Sequence, residues 1–140
     1  MGAGMTRLSV ALGLGLLVIA SARWIGYAQS GAPRFTGRTD VLDAKDLGIS
    51  RRRFEPGART FWHSHDKGQL LFVEQGRARL QRKGEPMKEF GAGESDYTAP
   101  NVVHWHGTVP DRALVQIAVS FGGETKWLEQ VTDAEYAGKR

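Results

Sequence analysis

The chain contains no cysteine. That absence removes disulfides, a lipid-attachment cysteine and thiolate metal ligands, so stability must come from a packed core and any metal site from other donors. The middle of the chain has no stretch with the period of a long amphipathic helix. It also has no internal repeat and no low-complexity segment. Charge of neither sign dominates: 19 Lys+Arg stand against 15 Asp+Glu, and setting aside Arg7 and Arg23 near the N-terminus leaves 17 against 15. Such a balance gives little reason to expect nucleic acid as a partner. Histidine is scarce, with four in 140 residues. Their placement is the informative feature.

The first residues differ from the rest. Arg7 leads into Leu8–Ala20, an uncharged apolar run, followed by small residues with Gly26-Tyr27-Ala28 and Ala28-Gln29-Ser30 as candidate peptidase sites. The run is short for a membrane span, which needs about 20 residues, and suits a secretory signal. An uncleaved anchor with Arg23 and Trp24 at the interface is the other reading. The expected organisation is a signal peptide over 1–28, an arm over 29–48 with one short strand near Phe35–Val41, and a domain over 49–140. The protein is then exported, periplasmic or secreted, with no membrane association once the signal is removed.

Within the domain, strand-length runs alternate with turn residues. The runs are Ile49–Phe54, Ala58–His65, Gln69–Glu74, Ala78–Arg82, Met87–Phe90, Ser95–Thr98, Val103–Thr108 and Leu114–Phe121, broken by Gly- and Pro-containing segments such as Glu55-Pro56-Gly57 and Lys83-Gly84-Glu85-Pro86. Many short strands with regular turns predict an all-β sandwich or barrel. Thr125–Tyr136 is expected to hold one short helix, capped by Thr132 or Asp133.

All four histidines fall in two His-x-His pairs, His63-Ser64-His65 and His104-Trp105-His106. Residues two apart on a strand share a face, so each pair presents two imidazoles to one side. Phe61 shares the face of His63 and His65; Trp62 and Ser64 take the other. Gln69, Leu71 and Val73 are in phase. Trp105 points away from His104 and His106, so both tryptophans are expected to pack on an outer face. A polar cluster inside a small barrel is costly unless it binds something, and a metal ion satisfies it.

These residues resemble the cupin superfamily. Its first motif is matched by Gly57, five residues, His63-Ser64-His65, three residues, Gln69, six residues and Gly76, with Gln69 in place of the usual Glu. Its second is matched in spacing by Gly93, five residues, Ala99-Pro100-Asn101, two residues, His104, three residues and Thr108. Asn101 can replace the family's glycine because asparagine tolerates positive φ. Trp62-His63-x-His65-x-x-Gly68-Gln69, His104-Trp105-His106-Gly107 and the ending Trp127–Tyr136 are similar to a bacterial subgroup. That subgroup includes manganese-dependent hydroxynitrile lyases and cupins related to carboxymuconolactone decarboxylase.

The resemblance implies a cupin jelly-roll barrel with an N-terminal arm and a short C-terminal helix. It also implies metal ligands His63, His65, Gln69 and His104, with His106 beside the ion but not bound to it. The ion is divalent: manganese first, then iron, with zinc or nickel as further choices. Imidazole suits these metals, and a neutral Gln in place of Glu leaves the centre more positive, which favours an anion or alkoxide. His106 reads either as a catalytic general base or acid, or as a structural histidine in the barrel wall. The lyases of the subgroup tend to carry a further histidine on the next strand, where this chain has Gln116. Glutamine cannot shuttle a proton, so Gln116 is a candidate substrate-binding residue. In Arg51-Arg52-Arg53 strand alternation sends one set inward. Arg52 shares the phase of Phe54 and would suit a carboxylate-bearing substrate.

Two functions remain open. One is a metal-dependent enzyme acting on a small oxygenated molecule by lyase, decarboxylase, isomerase or dioxygenase chemistry. The other is a small-molecule or metal-binding receptor using the same pocket. The resemblance adds an expected homodimer formed through an outer sheet face.

Overall fold

The computed structural model describes residue 36 and residues 38–139; the segment expected to be a signal peptide lies outside them. Ten elements follow in order. They are β1 (Gly48–Phe54), β2 (His63–His65), β3 (Gln69–Gln75), β4 (Arg77–Arg82), β5 (Lys88–Gly91), β6 (Ser95–Thr98), β7 (His104–Thr108), β8 (Leu114–Ser120), β9 (Thr125–Trp127) and α1 (Asp133–Tyr136). The strands form two antiparallel sheets, one in the order β1-β8-β3-β6 and one in the order β5-β4-β7-β2-β9. The expected all-β jelly roll is the observed fold.

Alternation along the strands decides what lies between the sheets. Leu71 and Val73 are fully buried while Phe72 is partly exposed. They join Phe54, Ala78, Leu80, Phe90 and Leu114 in one apolar cluster. A second cluster covers the opposite face of the five-stranded sheet, where Trp62 and Trp105 pack with Val131 and Tyr136. Both tryptophans therefore face away from the histidines, as their phase predicts. The whole of β7 is buried because both of its faces are covered.

The turn chemistry matches the sequence pattern at two telling places. Asn101 is the non-glycine residue with positive φ (62°) among the described residues, and its N–H donates to the His65 carbonyl at 2.8 Å. That bond ties the turn before β7 to the end of β2. Gly76 has φ 85° between β3 and β4, and a β-carbon there would stand 2.1 Å from the Ala113 carbonyl oxygen, so no other residue fits.

Two expectations are corrected. No strand forms at residues 38–41, which are irregular and exposed. The run Ala58–His65 is divided rather than continuous. Its first part lies along β7, with an isolated bridge from Arg59 to Gly107 and the Thr60 N–H donating to the His106 carbonyl at 2.9 Å. At Trp62 the backbone changes partner, exchanging hydrogen bonds with Leu128 and Glu129 (2.8 and 3.0 Å). The expected short helix within Thr125–Tyr136 is observed at Asp133–Tyr136, after a strand, Thr125–Trp127, that covers the free edge of β2. Its cap is Thr132, whose hydroxyl accepts from Glu135 N–H while the Glu135 carboxylate accepts from Thr132 N–H, a capping box.

The two sheets are also joined by charge. Asp96 of β6 is buried and accepts from Arg82 of β4 at 2.5 Å; Lys88 of β5 pairs with its other oxygen. Removing one member of such a buried group leaves the others uncompensated. Asp96→Ala is expected to lower the unfolding free energy by about 3 kcal/mol in urea titrations. A loss below about 1 kcal/mol would mean that this ion cluster does not hold the sheets together.

Candidate metal centre

His63 of β2 lies directly opposite His104 of β7 in the antiparallel register. Directly opposed residues share a face, and His65 and His106 follow two positions along, so four imidazoles enter the barrel together. The ring centroids of His63 stand 5.1 Å from His65, 4.3 Å from His104 and 5.3 Å from His106. His63, His104 and His106 each offer a ring nitrogen, and these lie within 4.8 Å of one another, a group that could hold a metal ion. Gln69, at the start of β3, brings its amide in from the other sheet, with Oε1 3.1 Å from His104 Nε2. All five residues named from the sequence thus meet in one place.

The hydrogen bonds at the outer nitrogens decide which atoms face inward. His63 Nδ1–H donates to the Phe61 carbonyl at 2.9 Å, and His104 Nδ1–H donates to the Val102 carbonyl at 3.0 Å. A carbonyl only accepts, so Nε2 of each neutral ring carries a lone pair. His65 Nδ1 lies 3.0 Å from the Thr125 hydroxyl and 3.4 Å from that of Ser120, while its buried Nε2 has no partner. His106 differs. Its Nδ1 accepts from the Gln116 amide at 3.1 Å, which leaves the proton on Nε2.

Two local conflicts test whether a cation fits. His104 Nε2 and Gln69 Oε1 face each other at 3.1 Å with a lone pair on each and no proton between them. Buried His65 Nε2 has no hydrogen-bond partner, a costly state in a low-dielectric interior. A cation against these atoms resolves both conflicts, and donors bound cis to one ion at about 2.1–2.2 Å stand about 3 Å apart. The residues present fit a divalent ion.

Burial keeps the rings neutral. It pushes the pKa of His63 down to about 4 and that of His104 down to about 3, and lowers that of His65. His106 is held well below its ordinary value by burial first, then by the neighbouring imidazoles and by the charge of Arg52.

His63, His65 and His106 open onto a cavity of about 470 Å³. Ser50, Arg52 and Phe54 of β1 line one side, and Phe61, Thr125 and Trp127 line the other. Trp127 lies across His63 with ring centroids 4.7 Å apart. Arg52 is on this wall, as its phase with Phe54 predicts. Gln116 is placed behind His106, buried, rather than on the cavity wall. No local pattern marks Thr125 and Trp127 as site residues, because their position depends on β9 pairing with β2. Ser50 and Ser120 could have been found from the alternation of β1 and β8.

With fold and site described, the family follows. The Cupin domain family model matches residues 50–120, and the chain belongs to the cupin family. It is similar to an (R)-mandelonitrile lyase of Granulicella tundricola, 41% identical over 86 residues, which are 59% of this chain and 66% of that protein. The match therefore spans a little under two thirds of the curated relative. A cupin-like protein of Thermotoga maritima is 41% identical with a TM-score of 0.65, over 68% of this chain and 74% of its own. The DMSP lyase DddQ of Ruegeria pomeroyi shares the fold at 18% identity and TM-score 0.54, over 63% of this chain and 46% of its own.

Neutral buried imidazoles make stability pH-dependent. The unfolded chain takes up protons near pH 6.5, whereas folded His63 and His104 do so only near 4 and 3. As pH falls from 6.5 toward 4 the unfolded state binds more protons, so stability falls by roughly 1 kcal/mol per pH unit for each ring. Chelator-treated protein is expected to show its full urea midpoint above pH 7 and a much lower one at pH 5. A midpoint constant across that window would show that the rings are not buried in neutral form.

Proposed function

We propose that this protein is an exported, metal-dependent cupin acting on a small oxygenated molecule. Its ion is held by His63, His65, Gln69 and His104, with manganese preferred and iron next. The observation that carries this reading is the commitment of Nδ1 on His63 and His104 to carbonyls, which turns their bare Nε2 atoms inward with the Gln69 carbonyl and the unpartnered, buried Nε2 of His65. His106 is kept out of the ligand set, although its nitrogen is close enough, because the proton on its Nε2 blocks coordination. When bound, such an ion supplies Lewis acidity toward a hydroxyl, carbonyl or carboxylate oxygen. Gln116 holds His106 in the tautomer that donates from Nε2, and a neutral imidazole donor stabilises negative charge developing on an oxygen. Thr125 and Ser120 orient His65 through their hydroxyls. Phe54, Phe61 and Trp127 give the cavity an apolar wall. The kinship with the mandelonitrile lyase supports lyase chemistry on a hydroxynitrile or related hydroxy compound.

One observation favours a second reading, a binding module without turnover. Gln116 carries no titratable proton, and His106 is the one remaining proton carrier beside the ligand set. His106→Ala separates the two: loss of turnover on mandelonitrile with metal retained supports the enzyme. Ligand binding with no turnover by the unaltered protein supports the receptor.

Elemental analysis of the mature protein, purified without a histidine tag, tests the metal. Near-stoichiometric manganese or iron is expected, lost in both Gln69→Ala and His104→Ala, and chelation should lower Tm. Retention of metal in both variants, or none after reconstitution, would overturn the ligand assignment.

We also propose a homodimer through the outer face of the four-stranded sheet. Ile49, Leu70 and Tyr97 lie in one cross-strand row with Val119, and Phe72 is two residues along. Ile49, Phe72 and Tyr97 are well exposed for their size. Light scattering should give twice the chain mass, reduced to one chain by Phe72→Asp with Tyr97→Asp. One chain mass for the unaltered protein would end the proposal.

A further inference from the structure

The cavity is unusual in its charge. No Asp or Glu lines it among the described residues, and the donors facing the proposed ion are all neutral. A divalent ion held there keeps its whole charge, and Arg52 adds another. The neighbouring arginines are engaged elsewhere. Arg51 points to the opposite face and makes two bonds to the Glu74 carboxylate, at 2.7 and 2.6 Å. Arg53, on that same face, meets Glu55 at 2.8 Å. Arg59, the other arginine on the cavity wall, is tied to Asp133 at 2.6 Å and to the Val131 carbonyl. Arg52 alone among the described arginines has neither an acidic partner nor a hydrogen bond within the described chain.

An unpaired guanidinium beside an uncompensated ion, in a cavity walled by Phe54, Phe61 and Trp127, is an anion site waiting for its counter-charge. We propose that the ligand is a small 2-hydroxy- or 2-oxo-carboxylate. Arg52 grips the carboxylate through paired N–H groups, and the apolar substituent lies against the aromatic wall. The role of the 2-oxygen rests on the metal reading above, whereas the grip of Arg52 does not. Mandelonitrile, the compound in the name of the Granulicella relative, carries no charge, so this cavity differs from what that name implies.

Calorimetric titration with mandelate and its uncharged isostere mandelamide tests the proposal, with lactate and lactamide run beside them. The protein is used chelated and then reloaded with manganese, as wild type, Arg52→Gln and Arg53→Gln. Wild type should prefer each acid over its amide by about tenfold to a hundredfold. The preference should fall to near unity in Arg52→Gln and persist in Arg53→Gln, whose side chain faces outward. An equal preference in wild type and Arg52→Gln, or no binding of either acid to chelated or reloaded wild type, would overturn it. If manganese alters neither affinity while the Arg52-dependent preference remains, the metal reading fails and the anion site stands.

Discussion

Everything in this molecule that bears on chemistry depends on one register contact, His63 of β2 against His104 of β7. A strand slipped by one residue presents its other face. Slippage here would send the imidazoles into the apolar cluster of Tyr136 and Val131, and the tryptophans into the cavity. Neither exchange is tolerable, because the five-stranded sheet is packed on both sides. The register is further fixed by the Asn101 N–H bond to the His65 carbonyl, which sets the start of β7 against the end of β2. The packing of large aromatic side chains on the back of the sheet thus positions polar ones on its front.

A single electrostatic choice links the properties of the site. The cavity contains hydrogen-bonding donors and acceptors but no carboxylate. In the folded chain this forces the histidines to stay neutral, since a proton on any one would be buried near the others. The same lack leaves lone pairs facing each other at Gln69 and His104. Exchanging the glutamine for a glutamate would give the cluster its own counter-charge, tighten its hold on a cation and lower the attraction for anions. The neutral amide therefore gives up some affinity toward a cation and leaves a bound ion with more charge for whatever anion accompanies it.

Much of the fold was legible because jelly-roll strands are short and punctuated. Seven of the eight expected domain runs coincide with observed strands to within a residue or two, and the phase of His63, His65, His104 and His106 gave their common face directly. Asn101 took the positive φ that its place in the motif demanded. What could not be read depended on partners distant in sequence. The break in Ala58–His65 arises where the Trp62 backbone bonds to the tail rather than to β7, and nothing local to Trp62 marks that exchange. Thr125 and Trp127 join the site through β9, a strand of three residues, too short for any period to show. The tautomer of His106 is set by Gln116, ten positions on and on the other sheet.

The contact between Thr125 and His65 has a consequence in time. The proposed ligands span three strands, and the hydroxyl that orients one of them arrives with β9, the last strand described. In the other sheet, β1 finds its partner only when β8 exists, at the far end of the domain. Pairings of such long range form late and slowly. A chain that stops short of β9 cannot present the finished arrangement around His65. On the proposed reading, an ion would find its completed site only once β9 has docked, and its identity would reflect the metal pool met at that point.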